Sequence, residues 1–518
     1  MEQFVGICWG QNTFDPNIIL WYYNSIIHAV CQRANERIFF TMEIKLNVNS
    51  DNTKNILDLL EEQGISLPCN CHGENLCGGS RYSFPCGMIP KEPITIPLPE
   101  SSSIEKMEGI DLMQTPNLSI MPDTLLIDLG TTTIAMVYYH SKQGSTFFSE
   151  VFANPQIPYG ADVISRIKYA VEHPENSILH NALIASLKEH ISSFLCRYPD
   201  IHLKQCLIGG NTTMIHLLLN LSLRDMTGVP FTPAQIKNFS FSYKDVNVSI
   251  LPWLSAFIGG DITAGILSLS FDKRNDTCLL ADLGTNGELV LCHKGRLFTA
   301  STAAGPALEG GGLSHGCPAI PGAISEVSLR GLLPRIRTIG NKLPSGICGS
   351  GAISLLAELL SHGFMDTKGI LSDKFPENGI TLARSTSGTS ILFTANDIRQ
   401  MQLAIAAIAA GIDTLCHEAG ISTHSIDSLF LAGGLGYFLP LEKAASLGMF
   451  CDIKRERIHC VGNSCLNGLA KLSKEGNTMS QIQSHLKELT TEVSLAENSY
   501  FQSSYIAHMS YPSDDTTA

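Results

Sequence analysis

The sequence predicts an α/β protein whose core is built twice, and three observations carry that expectation. Leu125-Leu126-Ile127-Asp128-Leu129-Gly130-Thr131-Thr132 returns as Leu279-Leu280-Ala281-Asp282-Leu283-Gly284-Thr285-Asn286. Each copy is an apolar strand ending in an acid, a turn of glycine and polar side chains, and a second apolar strand, Ile134 to Tyr138 or Glu288 to Cys292. Both halves then mix such hairpins with helical periodicity, as in Ala182 to Leu195 and Ile398 to Leu415, the pattern of an α/β core.

A hairpin of this composition has a chemistry. Free backbone amides and hydroxyls at its tip suit phosphate oxygens, and a carboxylate at its base suits Mg²⁺ directly or through water. Two facing copies would form a nucleotide clamp. Composition narrows the alternatives. The formal charge is −13 over 518 residues, which argues against nucleic acid as the main partner. No run approaches the roughly 18 apolar residues of a membrane span; Ile18 to Val30 is broken by Asn24 and His28. Met1-Glu2-Gln3 lacks the basic start of a secretion signal, and the expectation is a cytoplasmic chain. The 16 cysteines are then reduced thiols, mostly single in apolar strands, with any cluster pointing to metal or redox chemistry.

Along the chain, residues 1–38 are aromatic, mixed and unassigned. Residues 39–99 read as strand (Phe39 to Leu46), helix (Thr53 to Gln63), cysteine-rich loop and strand (Ile94 to Pro97). A Ser- and Pro-containing linker fills 100–122. The two repeats occupy 123–275 and 276–475, and 476–518 is a polar tail with a helix over Gln481 to Ser494 and disorder from Ser510.

Three further stretches complete the clamp. Gly209-Gly210-Asn211-Thr212 leads into a helix, placing free amides at its N-terminus. Gly346-Ile347-Cys348-Gly349-Ser350-Gly351 precedes Ala352 to Leu360 in the same manner. Leu429 to Ala432 runs into Gly433-Gly434-Leu435-Gly436, where absent side chains admit a nucleoside. Glu309 and Asp261 are candidates for positioning metal or water. His216 and His315 read as hydrogen-bonded structural residues, and Cys348 as a small packing residue.

The order of these motifs resembles the acetate kinase, sugar kinase, Hsp70 and actin superfamily. That resemblance implies two ribonuclease-H-like halves around ATP and Mg²⁺, with Asp128 and Asp282 near the metal and γ-phosphate. Gly130, Thr131, Thr132, Gly284, Thr285 and Asn286 would cradle phosphates, and Gly433, Gly434 and Gly436 the adenosine. One branch is closer: the reductive activators of corrinoid proteins. The matching runs include Asn154-Pro155-Gln156, Tyr159-Gly160 to Ile167, Gly210 to His216, Gly259-Gly260-Asp261, Ala303 to Gly310, Gly346 to Gly351 and Val461-Gly462-Asn463. In that family an N-terminal ferredoxin-like [2Fe–2S] domain passes one electron to an inactive Co(II) corrinoid, and ATP turnover makes the uphill step possible. The implied partners are the corrinoid protein of a methyltransferase system and an electron donor.

Two departures stand out. Cys71 and Cys77 fit the family's first two cluster ligands, but Ser80 holds the CxxC position, Cys69 is an extra thiol and Cys86 comes early. Cys69, Cys71, Cys77 and Cys86 suffice for a four-thiolate site; zinc and a clusterless domain are the other readings of this degenerate motif. Ile405 stands where the family usually has lysine. The alternative function is therefore a non-redox ATP-binding regulator or assembly factor, with a small-molecule kinase behind it.

Overall fold

The computed structural model describes residues 41–46, 94–99 and 121–512, apart from 161, 175–176, 237, 244, 386–387, 435–438 and 476–477. The expected helix Thr53 to Gln63 and the four clustered cysteines lie outside the described residues. So does nearly all of the expected linker. On either side of the cysteine-rich stretch, β1 (Thr41–Leu46) and β2 (Ile94–Pro99) pair antiparallel, Thr41 opposite Pro99.

The first repeat contains β3 (Thr124–Leu129), β4 (Thr133–His140), β5 (Ser145–Ala153), α1 (Val163–Glu172), α2 (Ile178–Arg197), β6 (Gln205–Gly210), α3 (Thr212–Leu218), β7 (Ser240–Tyr243), β8 (Val246–Ile250) and α4 (Gly260–Ser268). The second opens with β9 (Cys278–Leu283), β10 (Gly287–His293) and β11 (Arg296–Thr302). It inserts β12 (Ala323–Arg330), β13 (Leu333–Thr338) and β14 (Gly346–Ile347) as a three-stranded sheet, then α5 (Gly349–Ser361) and the hairpin β15 (Ile380–Arg384) and β16 (Ser390–Phe393). It closes with α6 (Ala395–Glu418), β17 (Ser428–Ala432), α7 (Leu441–Ser446), β18 (Ile458–Gly462), α8 (Ser464–Leu472), α9 (Met479–Leu489), β19 (Thr490–Glu492) and α10 (Ser499–His508).

The duplication is real in three dimensions. One sheet runs β5-β4-β3-β6-β8 with β7 on its edge, and the other β11-β10-β9-β17-β18 with β19 at the opposite edge. In each, the acid-bearing strand pairs antiparallel with its hairpin mate and parallel with the strand after a helix. β3 and β9 also share one burial pattern, in which only the acid is partly exposed.

Strand alternation decides which core each face joins. Leu280, Val290, Cys292 and Phe430 pack into the core that contains the first sheet, whereas Leu279, Ala281, Leu289 and Leu291 face the core beneath α6. Two helices lock the repeats together. Helix α8 lies against α4, and a Cβ on Gly468 would strike the Ala264 carbonyl, so glycine is what permits the crossing. Ile405 is 1% exposed within the core under α6, where an apolar side chain packs without the cost of a buried ammonium.

The C-terminal region is more structured than its polar composition suggests. Met479, Ile482 and Leu486 bury one face of α9. Thr490 to Glu492 then leave the helix and pair parallel with Leu297 to Thr299. Disorder does not begin at Ser510: Tyr511 is buried and its amide donates to the Thr367 carbonyl at 2.7 Å. An edge strand with partly exposed polar residues carries no apolar alternation, which is why the pattern concealed it.

Candidate nucleotide site between the repeats

Both hairpin acids end their strands at the same cleft, and the start of α8 touches both. Asn463 donates from Nδ2 to Asp128 Oδ2 at 2.6 Å, and the Ser464 hydroxyl reaches Asp282 Oδ2 at 3.4 Å. The Cys465 thiol donates to Asp128 as well. Asp261, in the first turn of α4, accepts from the Ile262 amide at 2.8 Å. Glu288 lies directly across the second hairpin from Asp282, and the matching position of the first hairpin is Ala135.

These carboxylates feel one another. Burial, reinforced by Asp128 and Asp282, pushes Asp261 up to about 7. Burial and Asp128 do the same to Asp282, also to about 7. Glu288 is held well above the usual carboxylate range by burial and by Asp261 and Asp282. Burial raises Asp128 too, against the opposing hydrogen bonds from Asn463 and Cys465. A cluster of partly desolvated acids without a cation is the arrangement that a divalent ion relieves. Among the described residues no three His, Cys, Asp or Glu side chains form a ready metal cage. Carboxylate oxygens are donors that suit Mg²⁺, which takes one or two carboxylates and fills its shell with water and phosphate oxygens.

The tips are held from outside. Thr131 Oγ1 accepts from Asn211 Nδ2 at 2.9 Å, while Asn211 caps α3 through the Met214 amide. Asn154 donates its side-chain amide to the Gly130 carbonyl and its backbone amide to Thr132, each at 2.9 Å. In the second tip the Gly284 amide donates to Asn286 O at 2.9 Å, and the Thr285 hydroxyl donates to Glu309 Oε2 at 2.7 Å. Gly210 ends β6 beside Asn211. Gly433 has φ +82°, and a Cβ there would lie 2.7 Å from Asp282 Oδ1. Gly434 opens onto free space; Gly436 lies outside the described residues. Gly349 and Ser350 begin α5 behind the Pro306–Glu309 turn, Gly349 packed against the Leu308 carbonyl.

His216 is structural: its ring bonds the Thr212 carbonyl at 2.7 Å and accepts from the Ala234 amide at 2.9 Å. The Leu392 amide donates to His315, and Cys348 is buried against Ile324 O at 3.3 Å. Glu288, Ser464 and Cys465 stand in no recognisable motif of the sequence, and Asn463 appears there only within the Val461-Gly462-Asn463 run. The register opposite Asp282 was a usable signal for Glu288. The others depend on the α4–α8 crossing.

With this geometry in place, the likeness to known proteins is informative. Residues 124–274 match the family model described as the RACo middle region, and residues 276–518 match that of the C-terminal domain of RACo, the ASKHA domain. The chain belongs to the RACo family of corrinoid activators. It is 32% identical over 415 residues to the corrinoid activation enzyme RamQ of Eubacterium limosum, covering 74% of this chain and 69% of that protein. It is 26% identical over 430 residues to the [Co(II) methylated amine-specific corrinoid protein] reductase of Methanosarcina barkeri, covering 75% and 76%. The solved structure of a reductive activator for corrinoid, iron–sulfur protein superposes with a TM-score of 0.66 at 27% identity, over 92% of this chain and 80% of that one. As in its family, the core is of the actin, Hsp70 and sugar kinase type. Among the described residues no helix is long and apolar enough to cross a membrane.

Proposed function

We propose that this protein is an ATP-dependent reductive activator that returns a Co(II) corrinoid protein to Co(I). The observation that carries the reading is the convergence of both hairpin acids on one cleft in a chain of this family. One electron from an external donor reduces the cobalt, and hydrolysis of ATP to ADP and phosphate makes the unfavourable transfer possible. The partner is the corrinoid protein of a methyltransferase system.

Within that reading, Gly130, Thr131, Thr132, Gly284, Thr285 and Asn286 hold phosphate oxygens through amides, hydroxyls and the Asn286 side chain. Asp128 and Asp282 would hold Mg²⁺ through its water shell, and Mg²⁺ supplies charge neutralisation to the transferring phosphoryl group. Asp261 and Glu288 enclose the same cleft, and Glu309 fixes the Thr285 hydroxyl. Asn211 with Gly210 braces the first tip. Gly433 and Gly434 leave room for adenosine beside Asp282, and Gly349 and Ser350 support the Glu309 turn.

By number and type, Cys69, Cys71, Cys77 and Cys86 would suffice to hold a [2Fe–2S] cluster, which stores and passes single electrons. Ser80 at the CxxC position gives the clusterless ATP-binding regulator its support. Iron and acid-labile sulfide after anaerobic purification and reconstitution separate the two. The activator requires iron and sulfide in the wild type and their loss in Cys77→Ala; sub-stoichiometric iron in both favours the regulator.

A further inference from the structure

Arg166, in α1, is fully buried, and among the described residues no carboxylate bonds it. Nε donates to the Gly160 carbonyl at 2.8 Å, and Nη1 reaches Gln156 Oε1 at 3.4 Å and Met214 Sδ at 3.2 Å. Nη2 is buried with no partner among the described residues. Asp162, the nearest acid to act on it, is exposed. Burial lowers the guanidinium to about 10, still charged at neutral pH. An uncompensated interior cation carries a heavy desolvation cost.

What the guanidinium does touch leads to the nucleotide cleft. Gln156 donates its backbone amide to Asn154 Oδ1 at 2.9 Å and its side-chain amide to the Leu179 carbonyl at 3.0 Å. Asn154, also buried, grips the first tip at Gly130 and Thr132. The repeat supplies an internal control. The strands β5 and β11 occupy equivalent places, but Asn154 follows one and Ala303 the other. The second tip is instead held by an anion, Glu309. Among the described residues Arg166 is the one buried Lys or Arg side chain, and it stands behind the first hairpin.

We infer that Arg166 is a positioning residue for the nucleotide phosphates, acting through Gln156 and Asn154 to hold the Gly130–Thr132 tip and to set a positive field behind it. The inference rests on the nucleotide reading above. It assigns the missing counter-charge of Arg166 to the bound phosphates, which would arrive with the metal that Asp128 and Asp282 hold.

The test is a binding series with adenosine, ADP and ATP in Mg²⁺ buffer, using the full chain. Gln156→Glu gives Arg166 a carboxylate partner while nearly keeping shape, and Asn154→Ala cuts the tether. Both should leave adenosine affinity within about twofold and weaken ADP roughly tenfold and ATP roughly a hundredfold, the loss of one and two good hydrogen bonds. Arg166→Lys keeps the charge and should retain more ATP affinity than Arg166→Met. Melting temperatures read in parallel separate folding from binding, since Gln156→Glu also loses its bond to Leu179. Equal losses for adenosine and ATP, or unchanged ATP affinity in folded Gln156→Glu and Asn154→Ala protein, would overturn the inference. Wild-type protein that binds none of the nucleotides would instead overturn the underlying site assignment.

Discussion

Asn463 Nδ2 lies 2.6 Å from Asp128 Oδ2, joining residues 335 positions apart. The other end of the same side chain caps α8 by accepting from the Leu466 amide at 2.8 Å. The first-repeat acid is therefore oriented by a helix from the second repeat, and the adjacent Ser464 reaches the second-repeat acid. Any movement of the repeats against each other must pass through this junction, so on the proposed nucleotide reading the site and the domain geometry would share their parts.

Asn463→Ala removes both bonds. Loss of the cap costs about 1 kcal/mol, and Asp128 loses a strong partner. We expect a lower melting temperature and slower ATP hydrolysis, measured as phosphate release. Asn463→Asp should keep the cap but place a charge against Asp128, giving the lower turnover of the two.

Asp282→Ala tests the second hairpin. Phosphoryl transfer depends chiefly on positioning and charge neutralisation, so turnover should fall by roughly a hundredfold or more. Folded Asp282→Ala protein with wild-type turnover would remove Asp282 from the mechanism.

Gly433→Ala tests the approach of the glycine turn to that acid. The added Cβ meets Leu283 O at 2.6 Å and Asp282 Oδ1 at 2.7 Å, at a φ of +82°. Backbone strain of this kind costs about 1–3 kcal/mol. Thermal unfolding should register that loss, and ATP affinity should fall with it because Asp282 is displaced.

The raised carboxylates give a signed pH dependence. Asp261 and Asp282 titrate at about 7 in the fold, against about 3.9 in an unfolded chain. A raised folded value means stability that is complete below the unfolded value and lost as pH rises through the folded one. Metal-free protein should therefore lose stability between about pH 4 and about pH 7 from these groups. Mg²⁺ competes with their protons, so its stabilising shift in melting temperature should grow across the upper part of that window. Melts with and without Mg²⁺ at several pH values measure it; a shift independent of pH would contradict the cluster.

Much of this was legible because local chemistry and repetition agree. Asp128 and Asp282 were readable since each ends an apolar run before a glycine turn, and the folded strands share one burial pattern. Buried thiols in strands, such as Cys206, Cys278 and Cys292, also followed expectation. Cys465 did not: it sits on a helix beside Asp128, a placement produced by the α4–α8 crossing rather than by any local period. Arg166 lies inside the Tyr159-Gly160 to Ile167 run without a local signal of its own, because its burial depends on packing between α1, Gln156 and Met214. The 490–492 strand leaves no pattern in the sequence because an edge strand can form from polar residues when a neighbouring sheet offers a free edge.

The most direct measurement is the appearance of Co(I) on a Co(II) corrinoid protein, followed by visible absorption under anaerobic conditions with a low-potential reductant. Wild-type protein should produce Co(I) with MgATP and little without it, and Asp282→Ala should behave like the sample lacking ATP. Co(I) formation at the same rate and to the same extent with and without MgATP, by cluster-loaded protein that binds the nucleotide, would contradict ATP-dependent reductive activation.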